Sequence, residues 1–270
     1  MLTFVHISDS HLHPDRSFTK RYSSVSPLVG AEAIVRAIQA LPLRPAFVLH
    51  TGDVVNDLSP DEYDLVRQVF DPLDLPVYYL AGNHDDATVL QSVAMGTDAL
   101  RRYLYYDFEV QGVQIVCLDS NARESDDGQP IQPPTGYLPA QQMDWLRGIV
   151  QTEDERPLIV AVHHNPVASG IPWLDGDMRL VNGDALHEAL LPARRRLRAV
   201  LFGHVHMPIE MVRDGILYSA AASTWCQFQG YPGVGEGLDS VAQDEQSPIG
   251  FSIVHVHARG ATIRRHNVLP

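Results

Sequence analysis

The stretch Leu2-Thr3-Phe4-Val5-His6-Ile7-Ser8-Asp9-Ser10-His11 sets the pattern for the chain: a short apolar run that ends in an Asp-x-His pair. The two-residue period of an extended backbone puts Asp9 and His11 on one face. The arrangement recurs four times. Residues 46–51 lead to Gly52-Asp53, and 76–80 to Gly82-Asn83-His84-Asp85. Residues 158–163 end in His163-His164, and 198–202 run into Gly203-His204-Val205-His206. These runs, with a further one over 113–119, are short, β-branched and bounded by turn formers, so they read as buried strands.

Helical patterns lie between them, near 28–41, 61–71, 139–151 and 183–191. The second opens on Ser59-Pro60-Asp61-Glu62, an N-cap serine with proline at the first helical position. Strands alternating with helices predict a layered α/β fold. Further on, 208–213, 216–221, 249–257 and 261–268 are strand-like and close together, as in hairpins. Residues 229–248, rich in Gly, Gln and Asp, read as a long loop. With no internal repeat and no linker, one domain over 1–270 is expected. Its C-terminal part, 208–270, would supply strands and a loop that serves as lid or oligomer contact.

Composition narrows the function. The chain has 270 residues, 45% of them hydrophobic, which excludes disorder and leaves ample length for a core. No apolar run approaches the roughly 18 residues that span a membrane. The chain begins directly in a strand-like segment, so a soluble, cytoplasmic protein is expected. With 33 acidic against 20 basic residues, the net charge of −13 lacks the footprint of a nucleic-acid binder. The one basic run, Arg194-Arg195-Arg196 with Arg198, suits a solvated face or a helix C-terminus. Cys117 and Cys226 cannot form a disulfide framework and suit a reducing compartment.

A single histidine at a strand end is usually structural. Five strands in turn ending in His, Asp or Asn are a different matter, because ligand sites of α/β sheets form beyond the carboxyl ends of strands. Glycine before Asp53, Asn83 and His204 would permit backbone conformations that a Cβ forbids. Imidazoles, carboxylates and an amide oxygen make a mixed N/O set suited to Mn, Fe, Zn or Co. Asp9, His11, Asp53, Asn83, His163, His204 and His206 are too many for one open catalytic ion, but suit two ions sharing a carboxylate.

The ordered blocks Asp-x-His, Gly-Asp, Gly-Asn-His-Asp, His-His and Gly-His-x-His resemble those of the calcineurin-like binuclear metallophosphoesterases. The resemblance spans 9 to 206 and implies a four-layer α/β/β/α sandwich of two mixed sheets, with two divalent ions at its top. It implies that Asp9, His11, Asp53 and His206 hold the first ion. Asp53 would bridge to the second, held also by Asn83, His163 and His204. His84 would face the substrate as the catalytic, non-ligand histidine, its ring oriented by Asp85 or Asn56. In His163-His164-Asn165-Pro166 the first histidine is taken as the ligand. His164 would line the pocket or support the ligands from behind, joining Asn83 and His84 as a substrate contact.

Two further stretches resemble the bacterial class III cyclic nucleotide phosphodiesterases. One is Pro166-Val167-Ala168-Ser169-Gly170-Ile171-Pro172-Trp173-Leu174-Asp175, the other Ser223-Thr224-Trp225-Cys226-Gln227-Phe228. That resemblance implies 3′,5′-cyclic AMP as substrate, with glycerophosphodiesters or a broader range of diesters as the alternative. A homodimer is expected, since members of the group often associate. Trp173 and Cys226 also fit a plain core role.

Charge separates monoester from diester. A monoester dianion calls for arginine, and protein phosphatases of this superfamily carry one in Gly-Asp-x-x-Asp-Arg. Here the block reads Gly52-Asp53-Val54-Val55-Asn56-Asp57, with Asp57 at the arginine position. Unless Arg16 or Arg179 reaches the site from a distant loop, a small phosphodiester monoanion is the expected substrate. A nuclease, a phosphomonoesterase and a non-catalytic interaction module that keeps the fold are weaker expectations.

Overall fold

Two mixed sheets packed face to face form the centre of the computed structural model, which describes residues 1–19, 23 and 25–269. The chain runs through β1 (Leu2–Ile7), α1 (Pro27–Gln39), β2 (Val48–His50), α2 (Pro60–Phe70), β3 (Val77–Tyr79) and α3 (Ala87–Val93). It continues through β4 (Tyr106–Val110), β5 (Val113–Cys117), α4 (Ala140–Val150), β6 (Leu158–Ala161), α5 (Pro172–Asp177), α6 (Gly183–Leu190) and β7 (Leu197–Phe202). The remainder is β8 (Glu210–Arg213), β9 (Ile216–Ala220), β10 (Phe228–Gln229), β11 (Ala242–Gln243), β12 (Ile249–His257) and β13 (Gly260–Val268).

The first sheet has the order β13-β12-β1-β2-β3 and the second β4-β5-β6-β7-β9-β8. Pairing is parallel in β1-β2-β3 and in β5-β6-β7-β9, with antiparallel strands outside them. Most of the parallel strands are buried on both faces, hence their largely apolar sequences, while β3 at the sheet edge is only partly buried.

Three apolar layers hold the sandwich together. Val5, Ile7, Ile34, Val66 and Phe70 join the first sheet to α1 and α2. Phe4, Phe47, Leu49, Ile115, Ile159 and Leu201 fill the space between the sheets. Val160, Val200, Leu146, Leu186 and Trp173 join the second sheet to α4, α5 and α6. The result is the four-layer α/β/β/α arrangement. Trp173, 1% exposed, is a core anchor rather than a pocket wall.

Local chemistry explains the start of α2. The Ser59 side chain accepts from the Glu62 amide, and Pro60 occupies the first turn. The Glu62 carboxylate accepts from the Asn56 and Asp57 amides, fixing the turn between β2 and α2. At the other end of the second sheet, the basic run divides. Arg194 and Arg195 are exposed, whereas Arg196 is buried and donates to Gln114 and to the Ile149 carbonyl. Arg196 is thus a tie between elements and not part of a solvated face.

The C-terminal strands serve both sheets: β8 and β9 extend the second, while β12 and β13 extend the first beside β1. The loop over 229–248 contains a small antiparallel pair, Phe228 with Gln243 and Gln229 with Ala242. No helix among the described residues is long and apolar enough to cross a membrane. Cys117 and Cys226 are both buried and unbridged.

Candidate metal centre

The loops after β1, β2, β3, β6 and β7 converge at one end of the sandwich, so the two sheets build the site together. One buried group comprises Asp9, His11, Asp53 and His206, whose donor atoms all lie within 4.8 Å of one another. His163, His164 and His204 form a second such group. Asp53 joins them: its Oδ2 lies 3.6 Å from His11 Nε2 and 3.3 Å from His163 Nε2. Asn83 completes the second side, with Oδ1 3.2 Å from His163 Nε2.

The backbone bends hard to achieve this. Among the described residues, nine non-glycine residues have positive φ, and five of them are Asp9, His11, Asp53, His204 and His206. Such conformations cost on the order of 1–3 kcal/mol each and persist where the surroundings enforce them. The glycines before the ligand residues act in two ways. Gly52 has φ +100° and needs its conformational freedom. Gly82 and Gly203 have ordinary φ and are required instead for closeness. A Cβ on Gly82 would lie 2.2 Å from the Asp53 amide nitrogen, and one on Gly203 1.9 Å from Ser8 Oγ.

Backbone carbonyls orient the rings. His163 Nδ1 donates to the Thr51 carbonyl at 2.7 Å, and His206 Nδ1 to that of Cys226 at 3.0 Å. Each ring thereby turns its Nε2 lone pair to the centre. Asp9 accepts from the His204 amide at 2.9 Å, a link between the two sheets. The Nε2 atoms of His164 and His204 are buried without a hydrogen-bond partner among the described residues. An orphaned ring nitrogen such as that of His204, beside two buried carboxylates, fits a divalent ion that would satisfy it.

Electrostatics sets the groups around that position apart. Burial would raise the Asp53 carboxyl, but His163, His84 and His11 outweigh it and hold it well below the usual range. Burial raises Asp9 despite His206 and His163. Burial would lower His163, yet Asp53 and Asp9 bring it up to about 9. His204 and His164 fall well below the ordinary histidine value, through burial and then the neighbouring imidazoles. They are neutral lone-pair donors.

His84 stands apart. It is half-buried where the other imidazoles of the site are buried. Its Nδ1 lies 2.7 Å from the Asn56 carbonyl, and its amide donates to Asp53 Oδ1 at 2.9 Å. Of the two expected orienting residues, Asn56 acts and Asp85 does not. Asp85 accepts from the Val54, Val55 and Gly82 amides and so shapes the turn.

His164 is fully buried, packed on His204 with Nδ1 2.7 Å from Ser120 Oγ. That position offers it to the cluster from within rather than to a substrate from the cleft. Arg16 and Arg179 do not supply the site's arginine, being paired with Glu32 and Asp184. Arg123, which the sequence reading missed, donates to the Asn83 carbonyl at 3.2 Å. Its only signal in the sequence is that it follows another strand end, that of β5.

Buried imidazoles and carboxylates around one shared Asp, at the C-terminal edge of two stacked sheets, define a metal-dependent hydrolase site. Residues 2–208 match the model of the calcineurin-like phosphoesterases, and the chain belongs to that family, whose members use a binuclear metal centre. It is 34% identical over 224 residues to the 3′,5′-cyclic adenosine monophosphate phosphodiesterase CpdA of Pseudomonas aeruginosa, covering 83% of this chain and 76% of that one. It is 25% identical over 221 residues to a protein of Arcobacter nitrofigilis named "Probable glycerophosphodiester phosphodiesterase GpdQ", covering 81% and 77%. A dimetal phosphatase from Danio rerio shares the fold, with TM-score 0.67, 15% identity and coverage of 98% and 96%.

Proposed function

We propose that the protein is a two-metal phosphodiesterase of small diesters, with 3′,5′-cyclic AMP, hydrolysed to AMP, as its first substrate. Asp9, His11, Asp53 and His206 would hold one ion. Asp53, Asn83, His163 and His204 would hold the other, with Mn, Fe, Zn or Co all suited to the donors. Bound there, two such ions provide a nucleophile from water at neutral pH and offset charge on the phosphoryl oxygens. A cytoplasmic location and a homodimer belong to the same proposal.

The observation that carries the reading is the setting of His84. With Nδ1–H held on the Asn56 carbonyl, its Nε2 is left free towards the site, and when that nitrogen also carries a proton it would pass it to the leaving oxygen as the P–O bond breaks. Half-exposed beside the shared carboxylate, it is the imidazole of the site that a substrate can reach. The diester preference is supported by Asp57, exposed where a monoesterase would carry arginine. Cyclic AMP is supported by the relative of Pseudomonas aeruginosa.

Steady-state hydrolysis by the Mn-loaded protein tests the proposal, with cyclic AMP, glycerophosphoethanolamine and a phosphomonoester side by side. A kcat/KM for cyclic AMP at least about tenfold above the others is expected. A comparable rate on glycerophosphoethanolamine would keep the diesterase and remove the cyclic nucleotide. Dominant monoester turnover would overturn the charge argument.

A further inference from the structure

A cleft of about 470 Å³ opens beside the Asn83–His84 loop, between the start of α3, the segment before β4 and the loop after β5. Arg101, Arg102 and Arg123 line it. Three arginines in the lining of one cleft, beside Asp85, Asp86 and Asp119, are a local concentration of positive charge in a chain of net charge −13. None of the three is in an ion pair among the described residues.

The carboxylates of the same cleft are already engaged. Asp85 accepts from three backbone amides, as described above. Asp86 accepts from the Thr88 and Val89 amides and caps α3. Asp119 accepts from the Leu104 and Asn121 amides. Asp85 and Asp119 are buried and Asp86 is exposed. Asp119 and Asp53 act on Arg123, whereas Arg101 and Arg102 have no ion-pair partner among the described residues. Arg102 has its guanidinium 5.2 Å from the Tyr103 ring centroid.

The cleft is also tied to the metal centre. Besides the bond from Arg123 to the Asn83 carbonyl, Asn121 Nδ2 donates to the Ala81 carbonyl at 2.8 Å. A group in the cleft thus lies beside the loop that presents Asn83 and His84.

We propose that this cleft is a second anion subsite, which favours small phosphodiesters bearing a further phosphate or carboxylate group away from the reacting phosphorus. The proposal rests on the phosphodiesterase reading. Arg101 and Arg102 bind the distal anion, and Arg123 joins that contact to the catalytic loop. Guanidinium groups suit the task because their fixed forks match phosphate oxygens.

The test is calorimetric titration of the Mn-loaded protein with AMP and with adenosine 3′,5′-bisphosphate, which differ by one phosphate. The bisphosphate is expected to bind at least about tenfold more tightly, the gain from one charge-assisted contact. Arg101→Gln with Arg102→Gln should close that gap, and Arg101→Lys with Arg102→Lys should restore part of it. Arg194→Gln with Arg195→Gln removes the same charge at the opposite end of the second sheet and should leave the gap intact. Equal affinities in the wild type, a gap that survives Arg101→Gln with Arg102→Gln, or one lost equally in the distant control would overturn the subsite. Hydrolysis of bis(p-nitrophenyl) phosphate is measured separately. Its absence beside an intact gap would sink the phosphodiesterase reading and leave the subsite standing.

Discussion

The two sides of the metal centre differ in charge. Asp9, His11, Asp53 and His206 bring two carboxylates and are all buried. Asn83, His163 and His204 bring none of their own; Asn83 is half-exposed and carries the Arg123 guanidinium on its carbonyl. An ion on the first side would meet two negative charges, and one on the second only its share of Asp53. At close range such a difference outweighs any other in the site. The contrast teaches that a symmetric list of ligands can conceal one firmly held ion and one that exchanges.

The largest expected effect comes from Asp53→Asn, which removes the oxygen common to both sides. Bound metal per chain should fall on both, and turnover by at least roughly a thousandfold. Elemental analysis showing both ions retained would break the bridging assignment. Next come two neighbours with opposite duties. Asn83→Ala should weaken the second ion by about 10–100-fold and be rescued by added Mn. His84→Ala should keep its metal yet lose about 10²–10⁴ in turnover, less on a p-nitrophenyl ester whose leaving group needs no proton. Metal loss in His84→Ala would erase the distinction between ligand and proton donor.

The smallest effect sharpens a related contrast, between imidazoles in front of the strands and those within them. His6, with Nε2 3.0 Å from Thr51 Oγ1, is fully buried, and burial lowers it from 6.5 to about 3. Its folded value lies below the unfolded one, so protons favour the unfolded chain. The contribution is complete above pH 6.5 and is lost as pH falls toward 3, at about 1.4 kcal/mol per unit. Denaturant midpoints between pH 7 and pH 5 should therefore fall more steeply in the wild type than in His6→Gln. Identical slopes would place the titration elsewhere.

These particulars show where the sequence was readable. The strands β1, β2, β5, β6 and β7 were legible because burial leaves short, largely apolar runs that end at turns or polar blocks, and the partly buried edge strand β3 because Gly82-Asn83-His84-Asp85 follows it. Helix α2 was legible because Ser59 and Pro60 mark its start. Helices α3 and α5, of seven and six residues, are too short to show a 3.6-residue period. Strand β4 alternates in Tyr106-Asp107-Phe108-Glu109-Val110, a weak signal beside a loop. Within the site, the residues brought together were legible from their order along the chain, and their orientation was not. Thr51, Asn56 and Cys226 act through carbonyls that every residue possesses. His6 and His50 look like the site histidines in sequence, and only their place in the sheet, facing Thr51 and Ser10, separates them.

The position of β1 between β2 and β12 has a consequence for how the protein is made. Leu2 pairs with Val256, far apart in the sequence. During synthesis the first strand therefore waits for one of its two partners until β12 has emerged. The last block of the cluster, Gly203–His206, also appears only after the strands β1 to β7 have been made. Long-range pairing of this kind is slow to close. A nascent chain that ends before residue 204 thus lacks His204 and His206, and the buried cluster of the site forms only once the first strand and the block after β7 are both in place.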